Sequence, residues 1–443
     1  MKIVHILRTS MAVLALVTSA SSAAAYEFPI EDPFAATVIG TPTALKAQVP
    51  MKIPGEARTL EVSPTADIPD VFWYERGLKF GFVPQHEDGE NARPLIFIIA
   101  GTGAHYRSEK VVALAKAFYQ AGFHIISISS PTQLNFLVNA SSTHLPGFPG
   151  IDVADLYRVM GAAYEQVRDE INVSEFYLTG YSLGGLQAAF LAKLDAEHRK
   201  FDFKKILMIN PAVNLYASVE IMDALLTESV PGGVDGVGEF LNRAIERLAQ
   251  LYHDDDDLRL DGDFIYKIYQ ETEHLADVRG IPQNARPQNA KALIAIAFRI
   301  ASASMVFGAD VINRSGYIVS PSIRLGKYDS LTKYSRASHR VQFTEYVNDM
   351  VLPVLKERYP DKTRDELIAS AGLPAIEDYL ANATHIRVVT NEDEIILAPG
   401  ELDYMKQLFG SRIKTYPRGG HCGNMDHHEN VRYMVDFFAG EGS

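Results

Sequence analysis

A serine in a glycine-flanked turn is the first residue of this chain that could act as a nucleophile. Ser182 lies in Gly180–Gly184, whose order Gly-x-Ser-x-Gly follows a short aromatic and β-branched stretch and precedes an alanine-rich one. A sharp strand-to-helix turn exposes such a serine, and the glycines avoid clashes with neighbouring elements. The helix N-terminus beside it favours developing negative charge. The pattern predicts a nucleophilic serine, with Gly180 and Gly184 as structural residues of the turn.

A serine hydroxyl is a poor nucleophile near neutral pH and needs a base held by a carboxylate. His421 lies between glycines after the last predicted strand, and Glu392, Asp393 and Glu394 follow the preceding strand. We predict Asp393 as the carboxylate, because it directly precedes the turn over 394–396 and its side chain can point toward the histidine. Glu392 and Glu394 are the alternatives. Ser182, Asp393 and His421 are therefore the predicted catalytic residues.

Two backbone N–H groups are predicted to stabilise the oxyanion that forms when the serine attacks a carbonyl. One is the N–H of Leu183, directly after the nucleophile. The other comes from the loop after the apolar stretch 95–100, at Thr102 or Gly103. Such donors contribute about 3–4 kcal/mol each to lowering the barrier in measured cases.

The elements that must position these residues alternate between buried strands and amphipathic helices from residue 94 onward. This alternation predicts an α/β fold with a mostly parallel sheet. Strands are predicted at 95–100, 123–128, 176–179, 205–210, 385–390 and 412–416, with short antiparallel edge strands at 59–62 and 78–82.

The alternation stops after Pro211 and returns at residue 385. Periodic patterns predict helices near 238–251, 264–276, 289–307 and 328–357, and a capping box from Thr363 to Glu366 opens another. The predicted organisation is a weakly patterned, extended N-terminal segment at 26–92, a core at 93–215 and 385–443, and a helical insertion at 216–384. The apolar stretch 292–307 contains Arg299 and is predicted to be a buried helix.

The first residues have the pattern of a secretory signal. Lys2 and Arg8 precede a short apolar run, and a small-residue stretch ends at Ala25. We expect 1–25 to be a signal peptide cleaved before Tyr26, and the mature protein to be periplasmic or secreted. The apolar run is too short to span a bilayer, and we expect no integral membrane segment after cleavage.

The chain is acidic. Its 443 residues carry 42 Lys and Arg against 55 Asp and Glu, which gives a net charge of −13. Loss of Lys2 and Arg8 with the signal would make the charge more negative still. This charge argues against nucleic acids and anionic membranes as partners. Cys422 is the single cysteine, so no intramolecular disulfide can form.

A dinucleotide site is the first competing interpretation, because Gly101 and Gly103 follow a strand. The third glycine of that pattern is replaced by Tyr106, and no ribose-binding acid follows the next strand. We therefore predict no nucleotide cofactor.

Metal sites are the second competing interpretation. The segment 421–428 contains histidine, cysteine and aspartate, but their spacing matches no zinc pattern. The acidic run at 254–263 resembles a calcium loop, but Arg259 and Ile268 stand where ligands are required. We predict no metal.

The elbow Gly180–Gly184, a carboxylate at Asp393 and His421 after the final strand together resemble an α/β-hydrolase. The resemblance covers 94–215 and 385–440, with the helical insertion where that superfamily carries its cap. It implies a mostly parallel, eight-stranded sheet, a cap after the sixth strand and a serine-hydrolase mechanism. Many members have His-Gly where this chain has Ala100–Gly103.

These features predict an exported serine hydrolase that cleaves an ester, thioester or amide through an acyl-enzyme on Ser182. A carboxylesterase or lipase-like activity on a small or medium acyl substrate is the preferred interpretation. A serine peptidase of the same fold, or a non-catalytic secreted binding protein on the same scaffold, is the alternative.

Overall fold

A computed structural model describes residues 26–60, 68–85, 91–230, 232–233, 235–236, 238–239 and 287–440. The predicted signal at 1–25, the acidic run at 254–263, the helix predicted at 264–276 and most of the helix predicted at 238–251 lie outside the described residues. The eight strands are β1 (Glu56–Leu60), β2 (Leu78–Val83), β3 (Arg93–Ile99), β4 (His124–Ile128), β5 (Val173–Tyr181), β6 (Lys205–Ile209), β7 (Ile386–Asn391) and β8 (Ile413–Tyr416).

The strands form one sheet in the order β1-β2-β4-β3-β5-β6-β7-β8. β1 pairs with β2, and β2 with β4, in antiparallel fashion, while every other pair is parallel. The eight-stranded, mostly parallel sheet is therefore confirmed, with the two antiparallel strands at one edge. The parallel strands read as continuous apolar runs because helices cover both faces.

The described α-helices are numbered here in chain order. They are α1 (Pro33–Ile39), α2 (Glu109–Gln120), α3 (Leu134–Asn139), α4 (Pro149–Val167), α5 (Leu183–His198), α6 (Leu215–Ser229), α7 (Pro287–Asn313), α8 (Thr332–Ser338), α9 (Phe343–Tyr346), α10 (Leu352–Arg358), α11 (Arg364–Ala369), α12 (Glu377–Asn382), α13 (Glu401–Phe409) and α14 (His428–Ala439). A π-helical turn at Val347–Val351 joins α9 to α10. The predicted capping box is present at the start of α11.

Between β6 and β7 the described residues contain helices and no strand, so the described part of the insertion after the sixth strand is helical. Its two longest described helices, α6 and α7, are joined by a buried ion pair of 2.9 Å between Asp223 and Arg299. The part of α7 from Ala290 to Asn313 is long and apolar enough to cross a membrane, but 67% of its most apolar stretch is buried inside the protein. The predicted boundaries of the insertion at 216 and 384 stay predictions.

The N-terminal segment differs from its predicted extended conformation, because it contains α1. Asp32 caps this helix by accepting from the N–H of Ala35, and Pro33 stands at its first position, where the missing N–H costs nothing. The helix is too short for its periodicity to be recognised in sequence. It lies next to the loop that follows β8, where Gly423 accepts a hydrogen bond from Thr41.

Candidate active site

The turn between β5 and α5 has the geometry of a nucleophile elbow. Ser182 has φ 57° and ψ −125°, a strained region for a residue with a side chain. A Cβ on Gly180 would lie 2.3 Å from the carbonyl oxygen of Gly184, and one on Gly184 would lie 2.3 Å from that of Ile99. The two glycines thus allow strand and helix to approach closely enough to hold Ser182 in this conformation.

The imidazole of His421 lies within hydrogen-bonding distance of the serine. Its Nε2 is 2.9 Å from Ser182 Oγ, although the two residues are 239 positions apart in the chain. The distance is within the range in which a general base can accept the hydroxyl proton. The structure therefore brings together the predicted nucleophile and the predicted base.

The carboxylate beside the imidazole belongs to Glu394, so the choice of Asp393 is corrected. Glu394 Oε1 is 2.9 Å from His421 Nδ1, and the glutamate side chain is only 1% exposed. A neutral imidazole with its proton on Nδ1 satisfies both contacts, donating to Glu394 and accepting from Ser182. Glu394 was one of the two alternatives that the sequence left open. The other, Glu392, is exposed and pairs with Lys406.

Asp393 binds the backbone of the histidine loop instead of the imidazole. Its carboxylate accepts from the N–H of Gly419 at 3.1 Å and of Gly420 at 2.9 Å. Burial raises the pKa of this carboxyl, and the two N–H donors oppose that rise. The shorter side chain thus holds the loop, while the longer one of Glu394 reaches the ring.

Asn210, which was not predicted, holds the carboxylate of Glu394 from its other side. Its Nδ2 donates to Glu394 Oε2 at 2.6 Å, and its own φ is 43°. The only signal in the sequence is its place after β6, at the same edge of the sheet as Ser182. Three partners, Asn210, His421 and the N–H of Ile396, leave the Glu394 carboxylate little freedom to rotate.

The backbone N–H groups predicted for the oxyanion hole differ in whether they already have an acceptor. Leu183 is the first residue of α5, so its N–H has no acceptor within the helix. The N–H of Gly103 donates to Thr132 Oγ1 at 2.7 Å, and a Cβ on Gly103 would lie 2.4 Å from that of Ala301. The N–H of Gly103 is thus already occupied, and of the two residues predicted in this loop Thr102 lines the cavity at Ser182.

A cavity of about 130 Å³ opens beside Ser182 between the sheet edge and the insertion. Its apolar wall is formed by α6, α7 and the turn after β7, with Leu215, Met222, Ile294, Phe298, Ile395 and Ile396 among the lining residues. Cys422 also lines it and is buried. Ser182 and His421 therefore line a small, mostly apolar space.

Charge around His421 determines the pH at which it can act as a base. Burial acts to lower the pKa of the imidazole, while contacts with Cys422 and with the Glu394 carboxylate act to raise it, and the net result is a pKa above the ordinary 6.5. The buried carboxylate favours the imidazolium form, which is already protonated on both nitrogens and cannot accept another proton.

We expect kcat/KM to fall as the pH is lowered through this raised pKa, because protonated His421 cannot take the proton of Ser182. The acid limb of the pH profile should therefore have its midpoint above the ordinary histidine value. A profile of ester hydrolysis, corrected for spontaneous hydrolysis with an inactive variant, measures it. A midpoint at or below 6.5 would contradict the raised pKa.

No protein-family model and no curated protein matches the sequence. The chain is similar in structure to an esterase from Pyrobaculum calidifontis, with 16% identity, a TM-score of 0.38 and coverage of 88% of this chain and 83% of the other. It is also similar to Est1E from Butyrivibrio proteoclasticus, with 11% identity, a TM-score of 0.37 and coverage of 87% of this chain and 98% of the other. A thermostable esterase from Pseudomonas putida has 11% identity and a TM-score of 0.40, with coverage of 90% of this chain and 85% of the other. These low values assign neither activity nor substrate to this chain.

The topology and the site identify the fold without such help. A mostly parallel, eight-stranded sheet carries the serine on an elbow after β5, the acid after β7 and the histidine after β8, with a helical insertion after β6. The chain has the α/β-hydrolase fold that its sequence predicted.

Proposed function

We propose that this protein is a serine hydrolase that cleaves carboxylic esters of compact, apolar acyl groups. The observation that carries the proposal is the continuous hydrogen-bonded series from Ser182 through His421 to Glu394. The strained elbow and the apolar cavity support it, because strain of this kind concentrates at functional sites.

The reaction follows from the donors and acceptors at the site. Ser182 Oγ attacks the ester carbonyl carbon while its proton passes to His421 Nε2, and Glu394 stabilises the imidazolium. The N–H of Leu183, with a second donor from the Thr102 loop, stabilises the oxyanion. The carbon–oxygen bond then breaks, and the alcohol leaves with the proton from Nε2. Water attacks the acyl-enzyme with the same base, which releases the carboxylic acid and returns the proton to the serine.

The size of the cavity supports a compact acyl group. A cavity of about 150 Å³ with an apolar lining is known to hold a molecule the size of benzene. The space beside Ser182 is about 130 Å³ and carries an aliphatic and aromatic wall from α6 and α7. A short aliphatic or a single-ring acyl group fits this space, whereas a long chain would have to leave it.

Hydrolysis of p-nitrophenyl acetate, butyrate, hexanoate, dodecanoate and palmitate, beside aminoacyl p-nitroanilides, tests the proposal. We expect the highest kcat/KM with butyrate or hexanoate and a decrease of about tenfold or more at dodecanoate, since a methylene without space costs binding energy. Met222→Ala, which removes part of the wall, should shift the preference to a longer ester. Cleavage of the anilides alone would favour a peptidase, and activity on neither class would favour a binding protein.

The proposal also includes export. It rests on the pattern of residues 1–25, with its two basic residues, short apolar run and small-residue end. Expression of the full chain in a bacterial host, followed by fractionation and N-terminal sequencing, checks it. The expected mature N-terminus is Tyr26, and full-length protein in the cytoplasm would contradict export.

A further inference from the structure

The N-terminal segment lies against the loop that carries His421, almost 400 residues further along the chain. We call residues Tyr26–Ala47 the N-terminal strap and residues Pro417–His427 the histidine loop. The Tyr26 hydroxyl donates to the carbonyl of Arg418 at 2.9 Å, and Lys46 forms an ion pair of 3.0 Å with Asp426. The strap thus contacts the loop near both of its ends.

The contact closest to the chemistry is made by Thr37 of α1. The backbone N–H of His421 donates to Thr37 Oγ1 at 2.8 Å. The hydroxyl in turn donates to the carbonyl of Pro33 at 2.7 Å, so its lone pairs are directed toward His421. Thr37 is buried, with 6% of its surface exposed, and it lines the cavity beside Ser182, so loss of its oxygen would remove the protein acceptor of the His421 N–H at the site itself.

Two glycines let the histidine loop lie directly on the backbone of α1. A Cβ on Gly420 would lie 2.1 Å from the carbonyl oxygen of Pro33, and one on Gly423 would lie 2.1 Å from that of Ala36. Between them, Cys422 has a φ of 60°, in the left-handed region that side chains rarely adopt. The conformation of the loop around His421 is therefore fitted to the surface of α1.

α1 also packs against the insertion. The ammonium group of Lys291 on α7 lies 4.6 Å from the centroid of the Phe34 ring, a cation–π contact. α1 thus contacts both the insertion and the histidine loop. It has the rigid support that a positioning element needs.

We propose that Thr37 is a positioning residue that holds the backbone of His421, and with it the imidazole, in line between Ser182 and Glu394. This inference rests on the proposed serine-hydrolase function. Thr37 of α1 is on this view a part of the active site, although it contributes no reacting atom. Misplacement of a catalytic group by about 1 Å can reduce the rate about a hundredfold.

The test compares Thr37→Val with Thr37→Ser in the full-length protein, using p-nitrophenyl butyrate. Valine keeps the shape and removes the acceptor, and we expect kcat to fall about tenfold or more with KM nearly unchanged, because the base acts in the transition state. Labelling of Ser182 by a fluorophosphonate should slow by a similar factor. Serine restores the oxygen and should recover most of the lost rate. The acid limb should move to lower pH in the valine variant, as the imidazole loses its alignment with Glu394.

Thr41→Val is the matched control for stability. Thr41 is a buried threonine of the same strap, and its hydroxyl donates to the carbonyl of Gly423 at 3.0 Å. Replacing it by valine makes the same chemical change without removing a partner of His421. We expect it to lower the melting temperature and leave kcat near that of the wild type.

Three kinetic outcomes would overturn the inference. They are a wild-type kcat in Thr37→Val, equal losses of kcat in Thr37→Val and Thr41→Val, and equal losses in Thr37→Val and Thr37→Ser. Failure of both Thr37→Val and Thr37→Ala to fold, while Thr41→Val folds, would assign the hydroxyl to stability and overturn it as well. If the wild-type protein hydrolyses no ester at all, it is the proposed function that fails.

Discussion

Replacing Ser182 by alanine should reduce kcat by a factor on the order of 10⁵–10⁶, with the protein remaining folded. The hydroxyl oxygen is the only atom at the elbow that can form the acyl-enzyme, and loss of a nucleophile of this kind has an effect of about that size. The substitution should leave the backbone conformation of the turn unchanged, because Gly180 and Gly184 allow the close packing that fixes it. Steady-state hydrolysis of p-nitrophenyl butyrate measures the change.

Covalent labelling separates a missing nucleophile from a damaged fold. A fluorophosphonate should form an adduct at Ser182 in the wild-type protein and none in Ser182→Ala. His421→Ala should also prevent the labelling, since Nε2 is the acceptor 2.9 Å from the hydroxyl. Labelling that persists in His421→Ala, or at another residue in the alanine variant of Ser182, would show that this series of hydrogen bonds is not the catalytic one.

Replacing Glu394 by glutamine should lower kcat by a factor on the order of 10³–10⁴. Loss of the charge beside an imidazole in a comparable arrangement costs about 10⁴, because the wrong tautomer is held and the imidazolium is no longer stabilised. The acid limb of the pH profile should move to lower pH at the same time, since the carboxylate is one of the groups that raise the pKa of His421. Kinetics across the pH range measure both effects.

Asp393→Asn is the control next to it in the chain. Its amide oxygen can still accept from one N–H of the histidine loop, so we expect a modest loss of kcat, well below that of Glu394→Gln, and a lower melting temperature. If the aspartate variant lost more activity than the glutamate variant, the assignment of the acid would have to be reversed.

The sequence was informative where a local pattern has one structural meaning. The Gly180–Gly184 pattern predicted a turn that only glycines permit, and buried apolar runs predicted the parallel strands on either side of it. The order of serine, acid and histidine along the chain follows from the order of those strands. For this reason the sheet and two of the three residues that the structure brings together at the site, Ser182 and His421, could be predicted.

The sequence could not show which of two neighbouring acids contacts His421. Asp393 and Glu394 are adjacent, and the direction of each side chain depends on the path of the turn after Asn391 and on which donors the histidine loop offers. The same holds for α1, whose seven residues are too few to show a period. The N–H of Gly103 does not serve as the predicted donor because it is hydrogen-bonded to Thr132 Oγ1, a contact between two loops that no local sequence pattern indicates.

The buried ion pair in the insertion has a consequence for substrate selection. Asp223 accepts from Arg299 on α7 and from the N–H groups of Phe343 and Thr344, so one carboxylate ties three helices together. Separating α6 from α7 would leave buried charges without their ion-pair partner, at a cost of about 3–5 kcal/mol. The helices of the insertion beside Ser182 are therefore held rigidly together. A larger acyl group must then be accommodated by rotation of side chains, such as the flexible thioether of Met222.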